Sequence, residues 1–201
     1  MRRGLGHYVG KGLGGGPTAT RRFGGTASTA GALYGALSSS ASGQPATLGS
    51  PFDPALLAGR SASEIMDALV EAVRRADGTQ DAEASRIAIK NALSEVLIQF
   101  PEADLLDLSE DQRMFAIERY VALDVYNRFH LDVGQTIQAK APTLVTAMMR
   151  LKEVRDYIKE SVSASIRQLR GAGQAMNARR ITQMVGRALS DTFRVFEDYV
   201  Q

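Results

Sequence analysis

The chain has 201 residues, 44% of them hydrophobic, and contains neither cysteine nor tryptophan. The missing thiols exclude disulfides, thiolate nucleophiles and cysteine-based zinc sites, which suits a reducing, cytoplasmic setting, and no run of about 18 apolar residues is present to cross a bilayer. The net charge of +2 hides an asymmetry: residues 1–50 carry Arg2, Arg3, Lys11, Arg21 and Arg22 with no acid, whereas residues 51–201 come to −3.

The same first stretch holds 13 of the 19 glycines. Residues 1–50 therefore read as a flexible, basic, Gly/Ser/Ala-rich leader and residues 51–201 as a separate helical domain. Within the leader, residues 1–16 are too rich in glycine to hold a helix alone, since each interior Gly costs roughly 1 kcal/mol relative to Ala. Residues 18–41 form a conditional helix, with Ala27, Ala30, Leu33, Tyr34 and Leu37 on one side. Its glycines make it depend on a surface to pack against. Gln44–Pro54 reads as a linker, and the body beyond about residue 55 is expected to fold without the leader.

The pattern then sharpens. Ser61 and Glu64 have the spacing of a capping box, and Ile65, Met66, Leu69, Val70 and Val73 follow at helical spacing until Asp77-Gly78. Thr79 caps a second helix with Ile89, Leu93, Val96, Leu97 and Phe100 on one face, ended by Pro101. Ser109 opens a third, to about Gly134, whose apolar residues point in nearly every direction, as in a central buried helix. Pro142 starts a fourth, broken by Gly171 and Gly173, and a fifth runs from Asn177 to Val200 with the cleanest apolar stripe in the chain. Long amphipathic helices joined by short loops predict an all-α bundle of about five helices.

Few motifs suggest chemistry. Gly10 to Gly15 satisfies G-x-G-x-x-G, but no strand precedes it and the first acid is Asp53, so it reads as a flexible glycine tract. His7 and His130 cannot build a metal site together, and His130 reads as a core or boundary side chain. Asp124, Arg128 and Asp132 stand four apart and read as an exposed ion-pair ladder. The alternating signs from Arg150 to Glu160 read as a solvated face. The first 40 residues share the basic, acid-free character of organellar transit peptides, but their glycine density suits an amphipathic targeting helix poorly.

One charge feature points to binding. From Ser161 to Ser190 there are five arginines, Arg167, Arg170, Arg179, Arg180 and Arg187, and no acid. Arg167 and Arg170 suit a helix C-terminus, whereas Arg179 and Arg180 fall in a first turn, where the macrodipole disfavours cations. Across a helical hairpin the five would form a surface for an anion, a nucleic-acid backbone or an acidic partner.

Asp53–Arg60 (DPALLAGR), Ala76–Ala82 (ADGTQDA), Ala116–Val125 (AIERYVALDV) and the closing Phe193–Val200 (FRVFEDYV) resemble QatB, a component of the four-gene Qat anti-phage defence system. The resemblance covers most of the chain. It implies three partners: a P-loop-type ATPase, a protein similar to the queuosine-pathway enzyme QueC, and a TatD-like nuclease. Enzymatic activity would reside in those partners. QatB-like proteins typically begin Met-Gly with a longer glycine- and proline-rich leader, and related systems suggest that a QueC-like enzyme attaches a deazaguanine to such a terminal glycine. This chain begins Met1-Arg2-Arg3, which reads as a truncation or late start, so no residue is assigned as a modification site.

Together these readings predict a non-enzymatic defence component without cofactor or metal. It would act as adaptor, or modification substrate, of a QueC-like enzyme. Nucleic-acid binding through the five arginines is the alternative.

Overall fold

The computed structural model describes residues 2–42, 52–170 and 176–199. Every regular element among them is helical: α1 (Arg2–His7), a π-helical turn (Tyr8–Gly12), α2 (Gly16–Arg22), α3 (Gly24–Ala41), α4 (Pro54–Leu57), α5 (Ala62–Val73), α6 (Gln80–Gln99), α7 (Glu110–Lys140), α8 (Leu144–Leu169) and α9 (Ala178–Asp198). None is long and apolar enough to cross a membrane.

The body helices begin where their side chains can satisfy free backbone donors. Ser61 accepts from the Glu64 N–H while the Glu64 carboxylate accepts from the Ser61 N–H, and Ser109 and Gln112 repeat the arrangement at α7. Thr79, Thr143 and Asn177 cap α6, α8 and α9. Two ends differ from expectation. Helix α5 stops at Val73, because Asp77 ties its carboxylate to the Thr79 N–H and hydroxyl in a turn of its own. Helix α7 runs through Gly134 to Lys140: that glycine is buried against His130, whose Nδ1 would lie 2.7 Å from an added Cβ. It relieves crowding and does not stop the helix.

Helix α7 is the centre of the fold, packed by α6, α8 and α3, with Met114, Ile117, Tyr120, Val121 and Phe129 in the core. Helices α8 and α9 run antiparallel. Ser165 and Thr192 meet at 3.2 Å, and the Tyr157 and Tyr199 hydroxyls hydrogen-bond further along.

The expectation of a flexible leader is corrected. Helix α3 lies against both α7 and α9, and α2 and α1 cover more of α9, so the apolar stripe of the last helix is buried largely by the first forty residues. Leu5, Val9, Phe23, Leu33 and Leu37 are core residues, and the Phe23 ring sits 5.0 Å from that of Phe193. Helix α3 thus stands as a further long helix beside the five expected ones. The glycine content has a packing reason. A Cβ at Gly31 would clash with the Thr182 side chain and lie 2.7 Å from the Ala178 carbonyl oxygen, so only glycine lets α3 approach α9 this closely. Gly14 and Gly15, at φ +78° and +97°, turn the chain from the π-helical turn into α2. The G-x-G-x-x-G run is therefore ordered helix and turn, with no strand before it.

The interval read as a linker falls mostly on residues 43–51, outside the described residues, as does the break at Gly171 and Gly173. Its far end is structured: Phe52 is buried, and Asp53 caps α4 by accepting from the Ala55 N–H.

Candidate functional site

Three clusters of polar or charged side chains stand out. The first is buried. Asp124 on α7 is 0% exposed and accepts hydrogen bonds from the Thr26 hydroxyl of α3 (2.5 Å) and the Ser85 hydroxyl of α6 (2.7 Å). Arg128, one turn on, brings Nε to 3.2 Å from Asp124 and Nη1 to 3.1 Å from Asp81, donates through Nη2 to Ser85, and lies over the Phe23 ring. Burial, then the nearby Asp124 charge, pushes the Tyr120 phenol well above its ordinary range.

The exposed ladder expected from Asp124, Arg128 and Asp132 is thus replaced by a buried knot joining α3, α6 and α7. Asp132 leaves it and binds the Tyr8 hydroxyl (2.7 Å) and Arg22 (3.0 Å) instead. With Asp124 and Arg128 buried and their charges paired, the knot locks the packing of three helices, although Arg128 Nε reaches Asp124 as an ion pair without a hydrogen bond of its own.

The second cluster holds the five arginines. Arg170 pairs with Asp111 at 2.8 Å, tying the end of α8 to the start of α7, and Arg167 reaches Glu160 at 3.4 Å and the Ser163 carbonyl. The acids that their own segment lacks are supplied by α7 and by the preceding turn of α8. Arg179 and Arg180 are exposed in the first turn of α9, where the Asn177 side chain accepts from the Arg180 N–H. Arg187 is exposed and forms no ion pair with Asp191 among the described residues. By the α8–α9 register, Arg187 stands level with Arg170. Arg179 lies eight residues further along the same helix, roughly 12 Å away.

The third cluster surrounds a cavity of about 710 Å³. Leu5 and Tyr8 form one wall and Phe129, Val133, Ile137 and Val154 the other. Tyr8 stands edge-on to Phe129 at 5.1 Å with its hydroxyl committed to Asp132. Its phenol is pushed well above the ordinary range, first by burial and then by that hydrogen bond. Gly4 and Gly12 thin the near wall, and His7, Lys140, Arg150 and Glu153 stand around the opening. Lys140 and Arg150 are exposed and enter no ion pair among the described residues. Sequence reasoning missed this site because it is assembled from three distant segments. In the sequence Arg150 reads as part of a solvated face of alternating charge, and no spacing announces a π-helical turn.

Elsewhere the start of α8 exposes Leu144 (70%), Val145 (66%), Met148 (63%) and Met149 (60%). Among the described residues no cluster of His, Cys, Asp or Glu is arranged to hold a metal.

No curated protein and no solved structure matches the chain. A family model described as "QatB: Qat anti-phage system associated protein QatB" matches residues 14–196, nearly the whole chain. The chain belongs to that family and is therefore a component of an anti-phage defence system.

Proposed function

We propose that the chain is a non-enzymatic adaptor of its defence system: a rigid helical body that docks on another protein of the system through the exposed start of α8. One observation carries this reading. Four large apolar side chains stand exposed within six residues of a well-capped helix. Clustered exposed apolar surface of this kind marks interaction sites, whereas scattered single residues need no explanation. The QueC-like protein is the first partner to test, and the ATPase and nuclease of the same system are the next.

Co-expression with the other proteins of the system should yield a stoichiometric complex containing the QueC-like protein. Changing Leu144 and Met148 to Asp should weaken that complex by about tenfold or more, equivalent to at least ~1.4 kcal/mol. Both side chains are exposed, so the fold should not change. A complex insensitive to these substitutions would rule out docking through α8.

Nucleic-acid binding is a second reading, favoured by the exposed positions of Arg179 and Arg187. Changing Arg179 and Arg180 to Glu suits the first turn of α9 electrostatically. It should still strip any bound nucleic acid, with the loss most visible at low salt. Unchanged retention would mean that nucleic acid does not bind through Arg179 and Arg180.

A further inference from the structure

We propose that the cavity between α1, the π-helical turn and the α7–α8 hairpin binds a small amphipathic anion: an apolar body carrying one carboxylate, phosphate or sulfonate head. The volume of about 710 Å³ lies within the roughly 300–1,000 Å³ typical of small-molecule sites. Leu5, Phe129, Val133, Ile137 and Val154 supply apolar walls for the body. At the opening, Lys140 and Arg150 supply two cations that no carboxylate of the described residues neutralises, against the single acid Glu153. A cationic ligand would meet their repulsion, and a neutral one would leave them unused.

Two features indicate that the space is built and not a packing defect. Tyr8 and Gly12 belong to a π-helical turn, a rare conformation that recurs at functional sites. The near wall is thinned by glycine, and a Cβ at Gly4 would meet no atom within 4 Å. The Tyr8 hydroxyl is held by Asp132, so the ligand's head is recognised at Lys140 and Arg150 while Tyr8 contributes only to the wall.

This cavity is distinct from the docking face. At 100° per residue, Arg150 and Val154 lie on one flank of α8, and Leu144, Val145, Met148 and Met149 on the other. Failure of either proposal leaves the other standing.

The test uses the full chain and the amphipathic anion 1-anilinonaphthalene-8-sulfonate, titrated by fluorescence and calorimetry. We expect saturable one-to-one binding. Decanoate and decyl phosphate, below their micellar concentrations, should displace the probe about tenfold better than decanol or decyltrimethylammonium, since a charge-assisted contact to either cation provides that margin. Lys140→Glu with Arg150→Glu should weaken binding by about tenfold or more without lowering the melting temperature, both residues being exposed. Gly4→Phe should abolish binding by filling the space. Leu144→Asp with Met148→Asp should leave it unchanged. Equal displacement by the cation or alcohol, indifference to the Lys140/Arg150 change, or loss on changing Leu144 and Met148 would each overturn the proposal.

Discussion

The first forty residues and the body that follows are both helical, but for different reasons. The body helices carry their own instructions: α5 to α9 each begin at a side-chain cap, and α9 has a single apolar stripe. The π-helical turn, α2 and α3 have no side-chain cap, and α3 includes four glycines. Their apolar residues are nonetheless as deeply buried as those of the body. A helix need not be stable in isolation if its neighbours supply the apolar contacts, because most helical stability in proteins comes from tertiary packing. The dependence is mutual, since without α3 and α2 much of the stripe on α9 would face water, with α8 covering the rest.

The strongest way to break this comparison is to remove one side of it. A chain starting near residue 52 should lose cooperative thermal unfolding and aggregate, because Ile181, Val185, Leu189, Phe193 and Phe196 lose much of their cover. This reverses the sequence-based expectation of a body that folds without its leader. A truncated chain whose circular dichroism melt matches the full-length protein would restore that expectation.

Next in size is the knot where the two regions meet. Arg128→Ala leaves the Asp124 carboxylate buried with its charge uncompensated and should cost about 3–5 kcal/mol in urea unfolding. A loss under ~1 kcal/mol would show that Thr26 and Ser85 suffice to hold Asp124.

Glycine substitutions sharpen the contrast within one pair of packed helices. Gly31→Ala forces α3 away from Thr182 and Ala178 and should cost roughly 1–3 kcal/mol despite the better helix former. Gly186→Ala, in α9 with nothing within 4 Å, should instead gain up to about 1 kcal/mol. Equal effects of the two would remove the packing explanation for the glycine-rich segment.

The smallest expected effect is one the two regions share, a dependence on pH. Tyr8 and Tyr120 both have phenol pKa values raised in the fold, so their contribution is complete below the ordinary phenol range and is lost as pH rises past about 10. Tyrosinate absorbance should show these two ionising only as the protein unfolds. Tyr8→Phe should remove one of them and cost about 1 kcal/mol at neutral pH through the lost bond to Asp132.

The two regions also differ in what could be read from them directly. The α-helical class, the caps at Ser61 and Thr79, the helix starts at Ser109 and near Asn177 and the inward stripe of α9 were legible because each depends on residues three or four apart. The central place of α7 followed from apolar residues on all its sides. The arginines were legible as a basic run, but their pairing was not, since Arg170 finds its acid on α7, 59 residues away.

The sequence by itself determined that the chain is helical, where its body helices start, and which family it resembles; periodicity and capping are written in neighbouring residues. Only the tertiary structure decided that the basic, glycine-rich start belongs to the core, that Asp124 and Arg128 are buried, and that an apolar cavity opens beside Lys140 and Arg150. The physical reason is range. Thr26 meets Asp124 across 98 residues and Tyr8 meets Asp132 across 124, and at such separations burial turns on which surfaces pack together, which no local pattern encodes.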